Sequence, residues 1–311
     1  MKRTNVITEG AILLAIFNVF LLGSLYLPII GMIFFFLLST PFIIFTIRHG
    51  MKKATLFFVI SQLLALLFGS LIALPTAFMF GVSGIVIGSI MQKKKSRYAV
   101  LAGGSLSFLV TILIQYMGAV LFFNINFIEE FKKILNESIE MSSSVLSAIG
   151  QSSSDQMIEQ FRQAVDMFTY LIPSLLVAIA FLFALFTLLF ATPIVKRLGM
   201  QVDPWPPFRE LVFPKSLLWY YLIIMFLRLL QFEEGTFMYT AVINLFFILQ
   251  WIIVIQGISF VFFYSHHKEV SRGIPLIVTI TSFFIPFLLY IIQILGIMDL
   301  GFNLRKKAKN K

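Results

Sequence analysis

The chain has 311 residues, of which 59% are hydrophobic and only 12% charged, and phenylalanine alone supplies 37. So much apolar surface exceeds what a soluble core can bury, which makes lipid the solvent and a polytopic helical bundle the fold class. The absence of Cys excludes disulfides, thiolate metal sites and a Cys nucleophile, and the net charge of +10 falls in short clusters between apolar runs, where it marks topology rather than a nucleic-acid partner.

In chain order, crossings are expected at about 8 to 25, 29 to 47, 54 to 74, 76 to 92, 98 to 123, 170 to 194, 217 to 232, 237 to 264 and 274 to 298, an all-α bundle of eight to nine spans. The first opens with "TEGAILLAIFNVF". No small-residue cleavage site follows its apolar run and a second span begins almost at once, so it is read as a retained helix rather than a signal peptide. Glu9 is expected in its first turn, and Ala11 and Ala15 form a small-residue face, for a partner helix or an internal contact. Pro28 with Gly31 ends the first span, "RHGMKK" the second, Pro75 the third and "KKKSR" the fourth. An even number of spans separates each basic cluster from the next, which places the N-terminus in the cytoplasm of a cell-membrane protein.

Residues 124 to 169 then fall outside, with seven acids against three bases. Phe127, Phe131, Ile134, Leu135 and Ile139 follow helical spacing, as do Met157, Ile158, Phe161 and Val165, with a capping-box-like Ser153 to Gln156 start between them. Two amphipathic helices on the outer surface are expected, as a passive connector or as a lid over an outward-facing cavity. After the span at 170 to 194, the basic, Pro-rich segment 195 to 216 around Trp205 reads as a cytoplasmic interfacial linker that precedes a smaller hydrophobic set, 217 to 298. Nine crossings would leave the basic tail, 299 to 311, outside. Either one span is miscounted or the last segment, broken near Pro286, is not a simple crossing.

Catalytic motifs are missing. There is no GxxxxGK[ST] loop and no HExxH pattern, and His49, His266 and His267 all fall at span ends, so no enzyme, metal or cofactor is expected. Arg228 lies five and six residues before Glu233 and Glu234, which suits pairing or snorkelling, with a buried anion site as the alternative. Asn18, Gln62, Gln115, Asn244, Gln250, Gln256 and Gln293 lie within apolar spans, where a carboxamide must turn inward as helix glue or as cavity lining. Asn18, Gln62 and Gln115 are the candidate ligand-binding set. Gly84 and Gly88 form GxxxG, with Gly103 and Gly104 one span later, which predicts close packing of the fourth and fifth spans.

"GAILLAI" with its AxxxA, the Gly-rich "PTAFMFGVSGIVIGSIMQKKK" and six spans ending inside together resemble the substrate-binding S components of energy-coupling-factor vitamin transporters, over roughly residues 5 to 195. The whole chain, with "INLFFILQWIIVIQG" and "LGIMDLGFNLRKK", is more closely similar to the uncharacterised YybS-type bacterial membrane proteins. The S-component likeness implies an outward-opening small-molecule pocket and a first helix that docks a transmembrane coupling protein through Ala11 and Ala15. The long outer insertion and the helices after Trp205 depart from the compact six-helix S component. Two functions follow as expectations: a small-molecule-binding transporter subunit, or a non-transporting scaffold or regulator in envelope assembly or sporulation.

Overall fold

The structure is a computed structural model that describes residues 2 to 148, 155 to 271 and 273 to 309; Ser153, where the expected capping box starts, lies outside them. The described residues form helices and connecting turns without strands. Six helices are long and apolar enough to cross a membrane, against the eight to nine crossings expected. The chain divides into two compact units, Met1–Ser153 with Leu175–Pro204, and Ser154–Ser174 with Trp205–Lys311.

The first unit contains α1 (Lys2–Tyr26), α2 (Gly31–Leu37), α3 (Thr40–His49), α4 (Met51–Gln92), α5 (Arg97–Phe123), α6 (Phe127–Ala148) and the C-terminal half of α7 (Asp155–Arg197). Helix α1 starts at Lys2, well before Glu9, so Glu9 is not in a first turn. It instead pairs with Arg48 and, at 2.8 Å, with His49 Nε2. Gln92 Nε2 donates to Ile47 O at 3.1 Å and Arg48 Nη2 to Leu198 O at 3.4 Å. The segments that carry the first three basic clusters therefore meet at one end of this unit, as an even number of passes between them requires.

Helix α4 is 42 residues long, roughly 63 Å if straight, about twice a hydrocarbon core. It is not straight. A Cβ built on Gly81 would lie 2.7 Å from the Phe58 ring, and the Phe58 and Phe78 ring centroids are 5.9 Å apart. Positions more than twenty residues apart would be over 30 Å apart on one rod, so α4 folds back on itself. The reversal is at Ser70, with φ 63° and ψ −174°, not at Pro75 where a break is expected. Adjacent Gly69 and Ser70 have little side chain to obstruct the turn, and Pro75 lies inside the second turn of the returning helix.

Small residues then set the packing. At Gly84 a Cβ would lie 2.8 Å from Ser39 O, and at Gly88 2.9 Å from Ile43 O, so this face lies against α3 rather than against the fifth span. Gly103 and Gly104 make the contact between α5 and α4, facing Ile90 and Ile87. The fourth and fifth spans thus meet closely at Gly103 and Gly104, while Gly84 and Gly88 admit α3: small residues fix how closely helices approach, but not which helix fills the space.

Helix α6 is capped by Asn126, whose Oδ1 accepts from the Ile128 N–H at 3.2 Å and from Tyr116 OH at 3.1 Å. Phe127, Phe131 and Ile134 on its apolar face stay exposed. The second amphipathic stretch is not a separate helix. It runs on without a break as the first half of α7, because no Gly or Pro interrupts residues 157 to 172.

The second unit contains the N-terminal half of α7, an extended linker with one 3-10 turn (Phe208–Glu210), α8 (Ser216–Arg228), α9 (Phe237–His267), α10 (Gly273–Phe284), α11 (Pro286–Phe302) and α12 (Leu304–Lys309). Helix α10 begins just after α9 ends, and its Phe283 stacks on Trp251, midway along α9, at 6.1 Å. At 12 residues, about 18 Å, it is too short to cross. The chain turns at Ile285–Pro286 and α11 returns alongside α9, so that Gln256 meets Asp299 and Ser259 meets Arg305. The expected ninth span is thus a pair of short helices. Its end lies back at the linker, where Arg305 Nη1 donates to Arg209 O at 2.7 Å, which brings the end of α11 and the start of the tail to the linker.

Candidate functional site

The interior of the first unit, where the S-component likeness places a pocket, is filled by phenylalanine. Phe17, Phe42, Phe80 and Phe108 are fully buried. Phe80 makes edge-to-face contacts with Phe35 at 4.6 Å and Phe108 at 5.4 Å, and Phe108 with Phe183 at 5.8 Å. Phe42 sits 5.0 Å from Phe17 and 5.2 Å from Phe57. Such pairs add roughly 0.5–1.5 kcal/mol each beyond burial.

The three amides expected to bind ligand are dispersed over this unit. Asn18 Nδ2 donates to Leu14 O at 2.9 Å in its own helix, and its Oδ1 is buried without a partner. Gln62 Nε2 reaches Ser61 Oγ at 3.3 Å, and Gln115 Nε2 is buried without a partner. Asn18 lines an apolar groove of about 460 Å³ between α1 and the first half of α4, with Ala11, Leu14, Ala15, Val19, Leu22, Leu64 and Phe68; neither Gln62 nor Gln115 is among its walls. Ala11 and Ala15 are exposed there, so no helix among the described residues covers this small-residue face.

In the second unit the remaining amides separate into glue and cavity lining. Asn244 is glue: its Oδ1 accepts from Ser174 N at 2.8 Å, and its Nδ2 donates to Tyr170 O at 2.7 Å and Thr240 O at 2.8 Å, which ties α9 to α7. Gln256 belongs to a buried network. Its Nε2 donates to Asp299, whose carboxylate also accepts from Arg305 Nε at 2.8 Å, while its Oε1 accepts from Phe213 N at 2.9 Å. Ser259 Oγ lies 2.8 Å from both Phe208 O and Leu211 O, and Arg305 Nη2 donates to it at 3.1 Å. Backbone without regular structure must find partners when it leaves water, and Gln256, Ser259 and Arg305 supply them to the linker, with Asp299 holding Gln256 and Arg305 in place. Helices α9 and α11 approach so closely that a Cβ on Gly257 would strike Ile292 O, and one on Gly296 would strike Ile253 O.

The other two amides face a cleft of about 490 Å³ lined by Met167, Leu171, Tyr221, Arg228, Ile243, Phe246, Phe247, Gln250, Tyr290, Gln293, Ile294 and Ile297. This volume is within the range of small-molecule sites. Gln293 Nε2 donates to Tyr221 OH at 2.7 Å and both residues are buried. The Arg228 guanidinium lies 4.5 Å from the Phe246 ring centroid. Among the described residues no carboxylate pairs with it within 4.0 Å, so the expected pairing with Glu233 or Glu234 is not formed. A second hollow of about 310 Å³ meets the cleft at Met167, Arg228 and Ile243, and is walled by Gln231, Phe232, Glu234, Tyr239 and Val242.

Sequence reasoning passed over Asp299 and Arg305. The signal was available: an acid inside an apolar run, six residues before an arginine, has few alternatives to pairing. Arg228 was visible, but its surroundings come from α7, α9 and α11, which are remote from it in sequence.

No solved structure matches this chain. The "Uncharacterized protein YybS" of Bacillus subtilis (strain 168) is 33% identical over 310 residues, covering 99% of this chain and all of that protein. The family described as "Predicted membrane protein (DUF2232)" matches residues 15–300, within which lie the cleft, the glycine contacts and the α9–α11 crossing, and the chain belongs to that family of integral membrane proteins.

Proposed function

We propose that the chain is a ligand-binding membrane subunit that acts with a separate transmembrane partner, in the manner the S-component likeness implies, with its ligand site in the second unit instead of among the first six helices. The observation that carries this reading is the cleft at Arg228. A guanidinium without a carboxylate partner faces a largely apolar cavity that also presents Tyr221, Gln250 and Gln293. Arg228 is exposed at the last turn of α8, so its charge is open to a ligand that enters the cleft.

The partner seam is the exposed Ala11 and Ala15 face of α1, in a cell membrane with the N-terminus cytoplasmic. The test is capture of the tagged full-length chain from its own membranes after mild crosslinking. Wild type brings down a multi-span protein, whereas Ala11→Trp and Ala15→Trp lose it while melting unchanged, since both positions are exposed. Retention of the same protein by both variants rejects the seam.

A second reading, a scaffold or regulator without a ligand, is favoured by the phenylalanine filling of the first unit. Its discriminating result is partner capture that is unchanged by substitutions in the cleft, with no stabilisation of the chain by any small molecule.

A further inference from the structure

We propose that the Arg228 cleft takes an amphiphile with one negative charge, a membrane lipid with a phosphodiester head, held head-first at Arg228 with its chain along the cleft. The assignment rests on reading the cleft as a ligand site. Three features specify the class.

The first is polarity along the cavity. Arg228 closes α8 and is followed at once by the polar turn that carries Gln231, Glu233 and Glu234, whereas the opposite walls are Ile294 and Ile297. A ligand that matches both ends is charged at one and apolar along the rest. The second is charge. The Arg228 guanidinium, placed on the Phe246 face, has no acidic partner within 4.0 Å among the described residues and presents N–H donors in a fork that suits a phosphate. Glu234 bounds the adjoining hollow beside Tyr239 and Gln231, so a head with two negative charges meets more repulsion there than one with a single charge. The third is access. Met167 is 49% and Tyr290 62% exposed, so the cleft is open at its α7 and α11 edges, both on apolar helices. Gln250, which has no side-chain hydrogen bond among the described residues, offers a donor to the ester region below the head.

The experiment is native mass spectrometry of the full chain released from nanodiscs that contain equal phosphatidylglycerol and phosphatidylcholine. Wild type is expected to retain the anionic lipid in about tenfold excess, as loss of one charge-assisted contact set implies. Arg228→Gln brings the ratio to parity. Ile294→Trp, which fills the apolar end and keeps the charge, lowers retention of both lipids, and Lys268→Gln, an exposed cation away from the cleft, changes nothing. Melting curves establish that each variant is folded.

An undiminished anionic preference in Arg228→Gln, or unchanged retention in Ile294→Trp, overturns the proposal. So does millimolar inorganic phosphate displacing the lipid, which assigns the site to free phosphate. A soluble metabolite that stabilises wild type but not Arg228→Gln, in the absence of lipid preference, overturns the lipid class and leaves the ligand-site reading standing. Lipid selectivity with intact Ala11 and Ala15 partner results supports both, and failure of partner capture alone leaves the lipid result untouched.

Discussion

The two units solve the same problem, packing helices in lipid, by different means. The first relies mostly on shape, with a few scattered polar bonds such as Ser39 Oγ to Phe80 O and Arg97 to Thr192: glycines at 84 and 88 admit the α3 backbone, glycines at 103 and 104 admit isoleucines, and interlocked phenylalanines fill the space between. The second adds polar specificity: Asn244, Gln256, Ser259, Asp299 and Arg305 bond across helices and onto the linker. In lipid, apolar contacts between helices gain little over contacts with acyl chains, so shape must be close to be useful, whereas a buried polar group without its partner has nowhere else to turn. The first strategy tolerates conservative change; the second does not.

That contrast can be broken experimentally. The largest effect is expected at Arg305. Arg305→Met leaves the buried Asp299 carboxylate short of its charge partner and should cost about 3–5 kcal/mol, with much of the loss recovered in the Asp299→Leu, Arg305→Met double variant. Melting of the two single variants and the double variant in one detergent measures the coupling, and simple additivity would show that the pair is not a unit. At Phe80 the expectation is smaller. Phe80→Leu keeps most of the volume and gives up the edge-to-face pairs, for about 1–2 kcal/mol by the same measurement. A loss at Phe80 that exceeds the loss at Arg305 would invert the comparison.

The smallest effect has the opposite sign. Ser70 holds φ 63° at the α4 reversal, which costs a residue with a Cβ roughly 1 kcal/mol. Ser70→Gly should raise the melting temperature by a degree or two, whereas Ser70→Val should lower it. A fall in Ser70→Gly would mean that the hydroxyl, not the backbone, holds the turn.

Much of this was legible along the chain. The apolar runs predicted where α1, α3, α5 and α9 lie, because a span is a local property of hydropathy and length. The basic clusters predicted that the ends around Glu9, Arg48 and Gln92 belong together. The α4 reversal was displaced by five residues, since Pro75 is a stronger sequence signal than the Gly69–Ser70 pair where the chain turns. The break between α10 and α11 was visible only as an arithmetic conflict, because a hydrophobic stretch with a proline has the same composition whether it runs straight or turns back.

The candidate site was less accessible. All seven carboxamides were identifiable as residues that must face protein, but hydropathy does not say which protein they face. Asn244 and Gln256 became structural bonds, Gln250 and Gln293 became cavity walls, and Asn18, Gln62 and Gln115 did not gather at one groove.

The sequence by itself determined the solvent, the helical class and the inward turn of every carboxamide, since these depend on transfer free energies of segments and single side chains. Tertiary structure alone decided that Gly84 and Gly88 meet α3, that Asp299 is neutralised by Arg305, and that Arg228 stands without a carboxylate beside a cleft. Those outcomes depend on which helices become neighbours, and neighbours are chosen by the fit of whole surfaces drawn from distant parts of the chain.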